Sequence, residues 1–340
     1  MPQTSIRSLA RQLGLSASTV SLSLRGSPQV LPATSRRVQR AAQRAGYEPN
    51  PLVRSVMAAV RRSSQQTFQG ALLAINHSKA EKPEQSRYHR EVFAGAQRRA
   101  VDLGYSMELC WLGSRGLSLA RLGTIIRARN VQGLVVLPFV ETLDFSALKW
   151  SSLAGVMMDY CLCAPALTTV LPDHHLAVRR ALELLEQRGY TRPGLAVADL
   201  RDRRVFHKWF AGFASHFRRT RQPVPPMQAD VITRAGFLRW FRAYRPDVLL
   251  GHHQEEMVRW LGEEGLVVPR DVGFVQLNWT ERCAPSAGLN QQPKLLGAAA
   301  VESVVAQLQR NESGVSENPK TIMLASRWVD GPTLRPAPAG

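Results

Sequence analysis

Apolar residues follow two spacings along this chain. In the first fifty residues they recur at helical intervals. Ile6, Leu9, Ala10 and Leu13 make one stripe, which Thr4 or Ser5 can cap and Gly14 can end. Ser16 can cap a second helix in which Val20 and Leu24 share a face, and Gly26-Ser27-Pro28 stops it. A third helix begins near Pro32, buries Val38, Ala41, Ala42 and Ala45, and closes at Gly46. Two helices joined by a tight Gly-containing turn, with a third across them, describe a helix-turn-helix. Beyond the polar linker 63–66, strand-like apolar runs at 71–75, 106–112, 133–137, 155–158, 194–198, 247–250 and 273–277 alternate with helical patterns at 88–103, 117–128, 173–188, 204–218, 235–244, 254–264 and 293–309. Continuous apolar strands linked by helices predict parallel sheets covered on both faces. About ten strands are too many for one sheet, so the body divides into two lobes. The expected domains are 1–47, a linker 48–66, and a body 67–340.

Charge separates the two regions further. The 340 residues hold 44 Lys+Arg against 26 Asp+Glu, a net charge of +18. Residues 1–66 contain ten arginines, no lysine and one acid, Glu48, so a fifth of the chain carries half the net charge. A lysine-free basic module suits phosphate, which the guanidinium fork binds bidentately; the competing reading is a solvated basic face. Four cysteines rule out a disulfide scaffold. No apolar run reaches the length of a membrane span and no export signal is visible, so a cytoplasmic protein is expected. The adjacent pairs His174-His175 and His252-His253 lack metal-binding spacing, and Cys161-x-Cys163 is a weak candidate. No nucleophile elbow, phosphate-binding loop or carboxylate pair suggests an enzyme. No cofactor or metal is expected.

The run Ile6-Arg7-Ser8-Leu9-Ala10, then 14–21, Gly26, Ala41-Ala42, Gly46-Tyr47 and 49–52 resembles, without gaps, the DNA-binding headpiece of the lactose-repressor/galactose-repressor (LacI/GalR) family. The resemblance implies an all-α headpiece on an α/β two-lobed core like that of periplasmic binding proteins, with three chain crossovers and an interlobe cleft. It implies a sequence-specific transcriptional regulator, a repressor by family habit, acting as a homodimer on double-stranded DNA at a near-palindromic operator. The second helix would enter the major groove. Ala17, Ser18 and Leu22 fall where the family reads base edges, while Ser16, Thr19 and Ser21 match phosphate anchors. Ala17 and Leu22 lack bidentate hydrogen-bonding groups, which shifts specificity toward DNA shape or Arg25. Asn50 caps a short hinge helix from Pro51 to about Ala59. Val56 takes the position of the family's minor-groove lever, Met57 follows it, and Arg54 can hold phosphate.

In the body the resemblance is weaker. It implies five effector contacts. Asp159 and Gln291 keep the family residue type. Trp209 stands where an arginine is usual, His253 where an asparagine is usual and Asn278 where an aspartate is usual. Trp209 could stack on a flat ligand or pack as a cleft wall. The favoured reading is a small-molecule effector, a sugar by family habit, that changes operator affinity. The alternative is a vestigial cleft, with control by a protein partner or by no small effector.

Overall fold

The computed structural model describes residues 6–24, 30–45, 69–77, 87–113, 117–139, 142–217, 223–227 and 229–336. The chain forms two compact units, Met1–Thr67 and Phe68–Gly340.

In the first unit, α1 (Ile6–Leu13), α2 (Ala17–Leu24) and α3 (Pro32–Arg44) enclose Leu9, Ala10, Val20, Val38 and Ala42. Gly14 adopts φ +62° and Leu15 N–H donates to Ala10 O at 3.0 Å, the left-handed ending that glycine permits. The Ser16 hydroxyl then accepts from Thr19 N–H at 3.0 Å and caps α2. Leu31 precedes α3 without a side-chain cap, and Pro32 opens the helix. The Arg37 guanidinium donates to Leu13 O and ties α3 to the end of α1. Arg36, Arg40 and Arg44 remain exposed on the outer side of α3.

In the second unit, the described residues build two large sheets. The first has the order β12-β7-β5-β3-β1-β2, from β1 (Gly70–His77), β2 (Tyr105–Leu112), β3 (Val131–Val136), β5 (Ala154–Met158), β7 (Thr168–Pro172) and β12 (Thr321–Leu324), all parallel. Alternate residues of β1 face opposite ways. Leu72 and Ala74 pack on α4 (Arg87–Asp102) and α11 (Pro293–Gln309), while Leu73 and Ile75 pack on α5 (Leu119–Ala128). Helices α4 and α11 cross closely. A Cβ built on Gly297 would lie 2.0 Å from Val92 O, and one on Gly95 would lie 2.0 Å from Lys294 O. A small parallel pair, β4 (Leu143–Asp144) and β6 (Leu162–Ala164), flanks this lobe.

The second sheet has the order β13-β11-β10-β9-β8, from β8 (Pro193–Ala196), β9 (Val248–Gly251), β10 (Gly273–Trp279), β11 (Gly288–Asn290) and β13 (Arg327–Val329), which pairs antiparallel at the edge. Helix α6 (His174–Gln187) and a later helix, α8 (Lys208–Phe217), cover one face; α9 (Arg234–Tyr244) and α10 (Gln254–Glu263) cover the other. The chain passes between lobes three times, after β7, after β11 and after β12. These passages are laced together. Asp173 N–H donates to Leu324 O at 2.8 Å, and Gln292 Nε2 donates to Ala325 O at 2.9 Å.

One predicted helix starts late. The helix expected at 204–218 begins only at Lys208, as α8; a separate short helix, α7 (Asp199–Arg203), precedes it, and in the turn between them Phe206 and His207 both have φ +53°. The cause is Asp202. Its buried carboxylate accepts from Trp209 N–H at 3.1 Å and Phe210 N–H at 3.0 Å, and its carbonyl accepts from His207 N–H at 2.8 Å. Those bonds satisfy the first amides of α8 and hold two non-glycine residues in the left-handed region, at a cost of about 1–3 kcal/mol each.

Candidate functional site

The headpiece presents α2 as the second helix of a helix-turn-helix. Val20 and the fully enclosed Ser23 face inward, and the Ser23 hydroxyl donates to Thr19 O at 2.7 Å. Ser16 is exposed at the helix start, with its hydroxyl 2.8 Å from that of Thr19. Two of the three expected phosphate anchors are thus already hydrogen-bonded to each other, and their outward lone pairs or protons are what a phosphate would meet. Ala17, Ser18, Ser21 and Leu22 lie on the same helix. Arg25, Asn50, Arg54, Val56 and Met57 lie outside the described residues.

In the body, four of the five expected effector residues, Asp159, His253, Asn278 and Gln291, stand at or just past the C-terminal ends of strands, where ligands bind in open α/β sheets, while Trp209 lies in the first turn of α8. They do not form one cluster. Asp159 follows β5 with φ +53°. Its Oδ1 is shut off from solvent and has no hydrogen-bond partner among the described residues. Burial pushes its carboxyl up to about 6, and the Arg204 guanidinium pulls the other way. Tyr88, at the start of α4, is held well above the usual phenol range by burial and then by the Asp159 charge, with Arg204 opposing.

Arg204 belongs to the second lobe, yet its Nη2 donates to Phe139 O in the first lobe at 2.8 Å. Tyr160 and Phe206 meet edge to face at 4.5 Å across the same gap, and Lys208 Nζ lies 5.8 Å from the Tyr160 ring centre. Near the start of α4, the Arg87 guanidinium donates to Glu281 of the second lobe. The lobes are therefore bridged by side chains at several points.

Trp209 lies inside the second lobe, only 7% exposed. Its ring stands 4.9 Å from His174 and 4.2 Å from His252, centre to centre. Burial drives both imidazoles down, His174 to about 3 and His252 well below its usual value. Gln291 is also buried, and its Nε2 donates to Leu277 O at 3.3 Å. His253 forms the residue before α10, with Nδ1 3.6 Å from Glu256. Asn278 Oδ1 accepts from Gln276 Nε2 at 2.6 Å. His253 and Asn278 share a hollow of about 310 Å3 with Arg201, His252, Gln276 and Arg282. Asp159, Trp209 and Gln291 do not line it.

Arg204, Tyr88, Arg201, Gln276 and Arg282 went unread in the sequence. The charge-dense run Asp199 to Arg204 was the available signal, and the helical pattern read from the sequence begins only at its end. Among the described residues, no three His, Cys, Asp or Glu side chains converge as a metal site, and no helix is long and apolar enough to cross a membrane.

A helix-turn-helix unit followed by a two-lobed α/β body, with unsatisfied polar groups at strand ends, is the architecture of the proteins this chain is similar to. The family described as "Bacterial regulatory proteins, lacI family" matches residues 5–50. Over its length the chain is 24% identical to the HTH-type transcriptional repressor CytR of Escherichia coli (strain K12), covering 91% of each, and 26% identical to the HTH-type transcriptional regulator PtxS of Pseudomonas putida, covering 92% of each. Among solved structures, a lac repressor dimer bound to operator and the anti-inducer ONPF gives a TM-score of 0.55 at 20% identity, over 98% of this chain and 99% of that one. A transcriptional regulator CelR–cellobiose complex gives 0.58 at 18% identity, over 97% and 100%. Residues 5–50 thus match the LacI family's model, and over its length the chain is similar to LacI-type transcriptional regulators.

Proposed function

We propose that the protein is a cytoplasmic repressor with no catalytic activity of its own, acting as a homodimer whose operator affinity is set by a small molecule held between its lobes. The observation that carries the effector reading is the enclosed, unpartnered Asp159 oxygen. A buried acceptor without a partner costs about 1–3 kcal/mol, which a ligand hydroxyl or amine would remove. One short recognition helix gives little affinity, so two headpieces on a two-fold operator supply the rest. In this reading Ser16, Thr19 and Ser21 hold phosphates. Ala17, Ser18 and Leu22 face base edges, with Arg25 beside them. Asn50, Arg54, Val56 and Met57 form the minor-groove hinge. Ligand binding alters the lobe angle, and the dimer transmits that change to the spacing of the two headpieces.

The test has two arms. Selection from a random duplex library by the full chain should enrich a near-palindrome; recovery of no preferred sequence would refute specific operator binding. Melting of the protein against mono- and disaccharides, sugar acids and sugar phosphates should show a rise of several degrees for one class. That rise should be lost in Asp159→Asn. Absence of any shift across the panel would sink the effector reading while leaving DNA binding intact.

A further inference from the structure

The hollow in the second lobe holds more polar chemistry than the five family positions account for. Arg201 and Arg282 border it, and neither has an ion-pair partner among the described residues. Gln276 stands on β10, 7% exposed, with its Oε1 shut off from solvent and without a partner among the described residues. Its Nε2 is already committed to Asn278, so this orphan oxygen is an acceptor awaiting a donor. His252 Nδ1, on a side chain 4% exposed, is orphaned as well. The first turn of α10 opens on the same hollow, and no side chain caps its amides. Glu255 and Glu256 also border the opening and add acceptors.

Two kinds of demand therefore meet in one hollow of about 310 Å3. Two unpaired guanidiniums and the uncapped amides of α10 call for an anion. Gln276 Oε1 and the two glutamates call for hydroxyl or amine donors. A neutral sugar meets only the second demand, and inorganic phosphate meets only the first. We infer that this half of the cleft takes a small polyhydroxy organic anion, a sugar acid or a sugar phosphate, with its anionic group on Arg201 and Arg282 and a hydroxyl donating to Gln276. This inference rests on the reading of the cleft as an effector site and narrows the class of effector.

Isothermal titration of the full-length protein with gluconate, glucose 6-phosphate, glucose and inorganic phosphate tests it. One of the two organic anions should bind at least tenfold more tightly than glucose and than phosphate, and which one binds tells carboxylate from phosphate. Arg282→Gln and Arg201→Gln, both at exposed positions, should each weaken that compound at least tenfold without changing the melting temperature of the ligand-free protein. Gln276→Leu should weaken it while leaving its charge preference unchanged. Glucose binding as tightly as the anions, and unaffected by either arginine change, would overturn the anion assignment and leave an effector cleft standing. Phosphate binding as tightly as the organic anions would overturn the polyhydroxy part. Binding by none of the four would overturn the inference, and the wider sugar panel then decides the effector reading separately.

Discussion

Trp209 replaces with an indole the cationic side chain that the family resemblance leads one to expect, and its neighbours explain how the fold accommodates the change. Two imidazoles flank the ring, and burial keeps them neutral. The sign of the pH effect follows. His174 binds its proton less readily folded than unfolded, so its contribution is present above pH 6.5 and declines as pH falls. Between pH 7.5 and pH 5 this amounts to about 2 kcal/mol for His174 alone. His174→Phe should therefore flatten the fall in melting temperature over that interval, and an unchanged slope would contradict the buried neutral state. Asp159 works in the opposite direction. Its carboxyl is raised to about 6, so the folded state gains as pH drops through 6 toward 4. Asp159→Asn should raise the melting temperature at pH 8 and leave it nearly unchanged at pH 4. Both residues could be picked out from the sequence. Their environments could not, because a shift depends on which groups from distant segments close over a side chain.

Elements were legible where apolar periodicity is long. The helix at 293–309 and the strands at 71–75, 106–112 and 273–277 stand within two residues of their observed bounds. Three-residue strands such as β6, β11 and β13 carry no period to read. The break between α7 and α8 was hidden for a different reason, since Asp202 acts as a cap only because it is buried. The segment it creates carries Arg204, Phe206 and Lys208 to the first lobe. Arg204→Ala combined with Phe206→Ala should loosen the contact between the lobes and enlarge the radius of gyration in small-angle scattering; an unchanged profile would show that these contacts do not hold the lobes together. The α4–α11 crossing makes a separate prediction. Gly297→Ala places a methyl against the Val92 carbonyl, so the helices must move apart, at a cost of about 1–3 kcal/mol. A loss of several degrees in melting temperature is the expected readout.

At the scale of the whole molecule, half of the net positive charge lies in the first 66 residues, so DNA affinity should fall steeply with salt. A roughly 10³-fold loss or more between 50 and 200 mM is expected if six or more phosphates are neutralised, measured by fluorescence anisotropy on the selected duplex. Deleting residues 1–67 should abolish binding and leave the body with a single cooperative melt. The three laced passages between the lobes have a further consequence, for heredity rather than for motion. The first lobe is not complete until residue 324 and the second not until residue 329, so the two are interleaved in the coding sequence. One recombination junction near residue 67 can exchange the headpiece whole, whereas no single junction can exchange a lobe. New operator specificity can thus be acquired by shuffling, while new effector specificity has to arise by point substitution within a body inherited as one piece.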